Sequence, residues 1–325
     1  MIIHIPNSAF LGNINAFIKT ADFSDPATIR ITANEKWMSV HPVVLCMLAA
    51  LGVKTRTESQ DERPIRCEKF TATSKHYFER MRLFKFLQLD SEMNITEHES
   101  AGRFIPISQI KSSDSLAQFI EDMIPLLHLD KKQAQSIKYI VSELVRNVLE
   151  HSQSPYGAMV AAQYYKKTNT VRIGIADTGV GIRQTIGRFH VAETDKDAIN
   201  LALTPGITGT TPREGGTDYN AGAGLFFTKS ISKVNRDYFV IYSGDTLYKL
   251  LKGKPGQPLV LNSDPFADRH TLETGLPVWT GTVVGIDMTL NDNEDFATLL
   301  KTIREVYTTT VRERRKKHYK KAKFI

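Results

Sequence analysis

An amphipathic helix that runs directly into a β-hairpin restricts the fold of this 325-residue chain more than any other segment. Between Asp130 and Ser152, apolar residues recur at helical spacing, and neither Gly nor Pro interrupts them. Two β-rich runs follow, Ala158 to Tyr165 and Thr170 to Ala176, and a polar turn joins them. The pattern predicts a helix packed on a sheet, and therefore an α/β chain.

Glu143 and Asn147 share one face of the predicted helix with His151, because residues four apart lie one above the other. A carboxylate can orient or deprotonate a water molecule, and an amide oxygen can bind Mg²⁺ together with phosphate oxygens. Glu143 is therefore a candidate catalytic base, and Asn147 is a candidate metal ligand. The alternative is a solvated face without a ligand, since charged residues on helices are mostly exposed.

The second predicted strand runs into Asp177, and Gly179 and Gly181 follow it. An ionised Asp can accept a hydrogen bond from an exocyclic amine, and glycine lets the backbone approach a flat base. This chemistry suits adenine. The same Asp-Thr-Gly turn occurs in ordinary loops and in aspartic proteases, but a protease needs a second carboxylate turn, which this sequence lacks.

The segment from Arg183 to Ala221 is rich in Gly and Thr, and we interpret it as a mobile cover with one short helix near Asp195 to Leu203. After it, Gly222 and Gly224 open an apolar helix that continues to Val234. Free N–H groups and the positive dipole end of such a helix attract phosphate. A flexible turn is the alternative for a lone Gly-x-Gly.

The order and spacing of these clusters resemble the N, G1 and G2 boxes of the GHKL ATPases, the Bergerat-fold family that includes gyrase, histidine kinases and MutL. The resemblance implies that ATP and Mg²⁺ bind to an α+β domain over residues 105–292, with helices on one face of a mixed sheet. It implies that Glu143 activates water, that Asn147 binds Mg²⁺ and that Asp177 reads adenine. The other nucleotide contacts that it implies are Gly179, Gly181 and Thr282 at the base, and Gly222, Gly224 and Leu225 at the phosphates.

Two polar residues near these clusters fit a structural role better than a catalytic one. His151 stands at the predicted helix end beside Glu150, so we interpret it as an exposed cap or dipole partner. Lys229 lies one turn into the helix after Gly224, and we expect a surface lysine there. A role at the nucleotide is the alternative for both residues.

The first hundred residues alternate short predicted strands with helices at Val43 to Leu51 and Ser74 to Leu89. This layout resembles a STAS domain, the anti-sigma-factor-antagonist fold, and it predicts a small STAS-like α/β domain over residues 1–100. The family carries a phosphorylatable Ser or Thr at the start of the first of these helices. Here Val40 or His41 stands at that position, and Ser39 is out of register.

The charge of +7 is confined to the end of the chain, since the last 25 residues hold ten Lys and Arg against two Glu. We expect residues 293–325 to form a basic helical tail. Residues 312–323 can bind nucleic acid or an acidic partner, or they can be a solvated helix. The longest apolar run, Val43 to Val53, is shorter than the ~20 residues of a membrane span. Together with the absence of a signal sequence, this predicts a cytoplasmic protein without membrane contact.

These observations favour an Mg-dependent ATPase switch, in which ATP orders the cover and changes contacts with a protein partner or with a second subunit of a homodimer. Glu143 favours hydrolysis. The alternatives are an anti-sigma-type serine or histidine protein kinase and a nucleotide sensor that does not hydrolyse ATP. A histidine kinase needs an acceptor His on an upstream helix, and the sequence shows none in that setting.

Overall fold

The computed structural model describes residues 1–25, 27–68, 75–90, 104–127, 131–213, 215, 222–254, 256, 258–290 and 296–319. These residues form a mixed α/β protein. The helices are α1 Ile14–Thr20, α2 Pro42–Glu58, α3 Lys75–Arg80, α4 Leu83–Leu87, α5 Ser113–Leu127, α6 Lys131–His151, α7 Gly181–Ile186, α8 Asp195–Ala202, α9 Gly224–Val234 and α10 Phe296–Tyr319. The strands are β1 Ile2–Ile5, β2 Ser8–Ala9, β3 Ile29–Ala33, β4 Ser39–Val40, β5 Ile65–Cys67, β6 Phe104–Ile110, β7 Ala158–Tyr165, β8 Thr170–Ala176, β9 Phe239–Gly244, β10 Thr246–Leu250, β11 His270–Glu273 and β12 Trp279–Thr289.

A seven-stranded sheet in the order β11-β10-β9-β12-β8-β7-β6 forms the centre of the protein. Every strand pairing described in it is antiparallel. The prediction of a mixed sheet was therefore wrong. Short connections join β7 to β8 and β9 to β10, and the helix pair α5 and α6 brings the chain from β6 back to β7, so the two strands of each of these pairs run in opposite directions. The predicted hairpin itself is confirmed as β7 and β8.

Both faces of this sheet are covered, because successive side chains in each strand point to opposite sides. On one face, α5, α6, α8 and α9 pack over a core that includes Ile173, Ile175 and Ile286. On the other face lies α2, against a core that includes Ala161, Val240 and Val283. The helices of residues 105–292 therefore lie on one face, as predicted for that domain, and the helix on the second face comes from the N-terminal residues.

Two paired glycines let α2 approach the sheet. Gly174 of β8 lies opposite Gly285 of β12, and a side chain at Gly174 would overlap the backbone of Val43 at the start of α2. Because α2 is buried on nearly all sides, its sequence shows an apolar run and no amphipathic period. His41 caps the helix, since its Nδ1 accepts a hydrogen bond of 3.1 Å from the Val43 N–H.

The N-terminal residues also form a three-stranded parallel sheet in the order β1-β3-β5 and a small parallel pair of β2 and β4. The helix predicted from Ser74 to Leu89 is two helices, α3 and α4, because Arg82 adopts a left-handed conformation with φ of 61°. Residues 91–103, where we predicted the boundary between the first two domains, lie outside the described residues. The apolar core around α2 extends from these N-terminal strands to the central sheet.

The predicted basic tail forms α10, which packs against α9 and α6. Ile303 is fully buried, and the ring of Tyr307 lies 6.0 Å from the ring of Phe227 on α9. This packing lies before the basic stretch: Arg312, Glu313 and Lys316 are exposed, so the alternatives for residues 312–323 stay open. In the part of the chain that the structure describes, no helix has both the length and the hydropathy needed to span a membrane.

Candidate functional site

A cavity of about 300 Å³ opens between α6, α7 and the start of α9, above the ends of β8 and β12. This volume is in the range of small-molecule sites. Eight of the nine predicted site residues line the cavity, namely Glu143, Asn147, Asp177, Gly181, Gly222, Gly224, Leu225 and Thr282. Segments that are distant in the sequence therefore converge on one cavity.

Gly179 is the one predicted site residue that does not line the cavity. A side chain there would overlap the backbone oxygen of Ser152, at the end of α6. Its N–H donates a 2.8 Å hydrogen bond to Oδ1 of Asp177. Gly179 therefore lets the loop after β8 lie close against α6, and it orients the Asp177 carboxylate.

Asp177 lines the cavity and is only 1% exposed. Burial raises the pKa of its carboxyl group to about 7, and the backbone hydrogen bonds with Gly179 and Thr282 oppose this shift. Its N–H donates to the Thr282 oxygen at 3.0 Å. A buried carboxyl group that faces a cavity and titrates near neutral pH is well suited to bind a polar ligand.

An irregularity in β12 brings Thr282 beside Asp177. Trp279 pairs with Gly244 and Val283 pairs with Tyr242, so the intervening residues bulge out of the ladder. A side chain at Gly281 would overlap the Asp177 oxygen, and only glycine permits this close approach. The bulge therefore explains the Gly-Thr pair that the sequence analysis placed beside adenine.

Glu143 and Asn147 project from α6 toward the start of α9. A Cβ at Gly224 would lie 2.7 Å from Oε2 of Glu143 and 3.6 Å from Nδ2 of Asn147, so this glycine makes room for both side chains. Burial raises the pKa of Glu143, and the charge of Arg146 opposes the shift. The arrangement places a partly buried carboxyl group one helical turn from an amide, beside a helix N-terminus.

The start of α9 is shaped by backbone contacts. Gly222 has φ of 64°, and its oxygen accepts a 3.1 Å hydrogen bond from the N–H of Gly206. Among the described residues, no side chain caps this helix. Gly222, Ala223 and Gly224 line the cavity, so the free N–H groups of this helix end lie beside it, where an anion can accept from them.

Residues 202–209 are all buried, so this part of the predicted cover is packed against the protein. The short helix predicted inside the cover is confirmed as α8. Residues 214 and 216–221 of the cover lie outside the described residues. The C-terminal helix reaches the cover, because Val311 and Arg315 lie directly against Gly206 and Gly215.

The sequence analysis missed further residues that line the cavity. Arg146 lies 3.4 Å from Glu143, measured from Nη1 to Oε1, and Tyr139 stands one turn before Glu143 on the same helix. Helical spacing from Glu143 was the signal that would have found both. Thr185 of α7 and Thr208 of the cover also line the cavity, and no sequence pattern pointed to them.

The expectation of exposed side chains at His151 and Lys229 was wrong, although His151 does stand in the last turn of α6, where a dipole partner was predicted. His151 lines the cavity and is mostly buried, and this burial lowers its pKa. Lys229 is 1% exposed, and its Nζ lies 2.5 Å from Oδ2 of Asp268. Lys233 pairs with the same carboxylate. The segment before β11 thus folds over α9 and buries the lysine, an arrangement that helix spacing alone does not reveal.

No family model matches the chain, and no curated protein matches it. What the cavity can bind therefore depends on its own side chains and backbone groups. A buried acceptor at Asp177 lines this cavity. A carboxyl group at Glu143, an amide at Asn147 and a helix N-terminus at Gly224 line the same cavity.

Proposed function

We propose that this protein binds ATP with Mg²⁺ in the cavity between α6 and α9 and hydrolyses it. One observation carries the proposal: a buried carboxyl group at Asp177 shares a cavity with Glu143, Asn147 and an uncapped helix N-terminus. Adenine has an amine that can donate to the first of these groups. The triphosphate is an anion that suits the helix end.

The proposed architecture is a Bergerat-type nucleotide-binding sheet, with an N-terminal unit of the STAS type docked on its back through α2. The support for this proposal is the order of the three clusters and their convergence in one cavity. The antiparallel sheet and the helix on its second face are features that the family resemblance did not lead us to expect.

The residues present fit the proposed metal ion. The side-chain oxygen of Asn147 is a hard ligand of the kind that Mg²⁺ accepts, and it would hold the ion together with the phosphate oxygens. The bound ion would neutralise charge on the phosphates. The absence of a Cβ at Gly224 leaves room beside Asn147.

Hydrolysis on this proposal uses Glu143 as a general base. The carboxylate accepts a proton from a water molecule as the water oxygen bonds to the γ-phosphorus. The bond from that phosphorus to the bridging oxygen breaks, and ADP and inorganic phosphate leave. Burial raises the pKa of Glu143, which makes the carboxylate a stronger base than an exposed one.

A switch role is proposed from the contacts of α10. Gly215 N–H donates a 2.9 Å hydrogen bond to the Gly206 oxygen, and Gly206 in turn bonds to Gly222 at the cavity. Val311 and Arg315 of α10 pack on the first two glycines. A phosphate that orders the start of α9 would therefore change the surface on which the C-terminal helix rests, and with it the contacts of a partner.

The experiment that tests the proposal incubates purified protein with γ-labelled ATP and Mg²⁺. Release of labelled phosphate by the wild-type chain, lost in Glu143→Ala while calorimetry still shows ATP binding, is the expected result. Transfer of label to another protein would replace hydrolysis with a kinase reaction. Failure of the wild-type chain to bind ATP by calorimetry would refute the proposal.

A further inference from the structure

Trp279 holds the backbone of Asp177 from behind. Its indole Nε1–H donates a 2.9 Å hydrogen bond to the Asp177 oxygen, and its side chain is 2% exposed. Asp177 lines the cavity and Trp279 does not, so the indole contacts this residue from outside the cavity. The bond fixes the peptide group that follows the carboxylate-bearing residue.

The N-terminal unit contacts the same indole. The ring of Phe23 meets Trp279 edge-on, with ring centroids 5.4 Å apart and an interplanar angle of 84°. Phe23 follows Asp22, whose backbone exchanges hydrogen bonds of 2.9 and 2.8 Å with Ile2 of β1. The aromatic ring is thus anchored to the small parallel sheet.

A second contact from the N-terminal unit flanks the first. Nζ of Lys54, on α2, donates a 3.2 Å hydrogen bond to Oγ1 of Thr280, the residue after Trp279. The irregular start of β12 is therefore held by residues from two separate N-terminal segments. At the other end of this irregular segment, the Thr282 oxygen accepts a hydrogen bond from the Asp177 N–H.

We propose that Trp279 is a positioning residue for Asp177, and that the N-terminal unit tunes nucleotide affinity through the contact of Phe23 with this indole. The inference rests on the proposed function, because it takes Asp177 as the residue that accepts a hydrogen bond from the amine of adenine. A hydrogen bond that a buried carboxylate accepts depends on angle and on sub-ångström placement. Loss of the indole donor releases the peptide that fixes this placement.

The test compares two ligands in Trp279→Phe, which keeps an aromatic ring and removes the donor. Calorimetry is performed with ATP and with purine riboside triphosphate, which lacks the exocyclic amine. We expect ATP affinity to fall about 3- to 10-fold, the size of one hydrogen bond, and the affinity of the analogue to change less than about 2-fold. An equal loss for both ligands, or no loss, overturns the inference, because a general structural defect does not discriminate between the ligands.

Matched variants test the link to the N-terminal unit. Phe23→Ala should likewise reduce the affinity for ATP more than the affinity for purine riboside triphosphate. Phe86→Ala, a half-buried phenylalanine of the same core on α4, is the control and should leave the ratio of the two affinities unchanged. A change in the ratio of the two affinities in Phe86→Ala alone, or an equal change in both variants, would contradict a specific effect of Phe23 on Asp177 through Trp279.

Fluorescence gives a readout that does not depend on the Trp279 variant folding. The chain has two tryptophans, and the other one, Trp37, is 49% exposed. In Trp37→Phe, the emission comes from Trp279 alone, and ATP should change its intensity or wavelength. Unchanged emission under conditions where calorimetry shows binding overturns the inference alone, whereas absence of ATP binding in the wild-type chain overturns the proposed function first.

Discussion

Replacement of Asp177 by Asn should stabilise the protein above neutral pH and weaken ATP binding at the same time. The carboxyl group ionises near pH 3.8 in an unfolded chain and near 7 in the folded protein, because burial disfavours its charge. The stability linked to this group is therefore complete below about pH 4 and is lost as the pH rises through 7. Each pH unit between the two values corresponds to about 1.4 kcal/mol, which makes the full loss about 4 kcal/mol.

Asparagine has nearly the same shape, and its Oδ1 can still accept from the Gly179 N–H. It does not titrate, so Asp177→Asn removes this loss. The difference in unfolding free energy between variant and wild type should increase in favour of the variant by about 2–3 kcal/mol between pH 5 and pH 8. Other titrating groups cancel in this difference, because they are the same in both proteins.

The assay is urea unfolding of both proteins at several pH values, without nucleotide. Calorimetry at pH 8 gives the second half of the prediction, a loss of ATP binding of about 1.5–3 kcal/mol, which is the size of one charged hydrogen bond. Parallel stability curves from pH 5 to pH 8 would show that Asp177 is not a buried, neutral-titrating acid. A gain of stability without a loss of ATP affinity would show that Asp177 does not contact adenine.

Three other perturbations test separate parts of the structure. Glu143→Gln should lower ATP turnover about 10²-fold or more with unchanged binding, since it removes the general base; parallel loss of both in phosphate-release and calorimetric assays would contradict this role. Gly174→Val should destabilise the protein by about 3 kcal/mol or more in urea unfolding, because the side chain would overlap the start of α2; a neutral effect would refute the close packing. Deletion of residues 311–325 should speed hydrogen exchange at the N–H of Gly215, which mass spectrometry measures, and unchanged exchange would show that α10 does not support the cover.

Local patterns in the sequence predicted the elements that form the site. The 3.6-residue period places α6, and alternation with a polar turn places β7 and β8, because these signals arise within one element. The order of the clusters suggested the family resemblance, and that resemblance predicted that Glu143, Asp177 and Gly224 share one cavity, which they do.

The features that the sequence did not predict involve contacts between segments that are far apart in the chain. Lys229 is buried by a carboxylate 39 residues later, and the second face of the sheet is covered by a helix from the N-terminal residues. Gly174 and Gly285 were the sequence signal for that helix, since glycine inside a strand marks close approach of another backbone. Their partner, however, could not be identified before the fold was known.

The two paired glycines under α2 have a consequence for how this protein can be taken apart. Without α2, the back of the central sheet would present a broad apolar surface to water, and such surfaces lead to aggregation. The part of the chain that carries the cavity therefore depends on the N-terminal residues, and expression of that part by itself should give insoluble material.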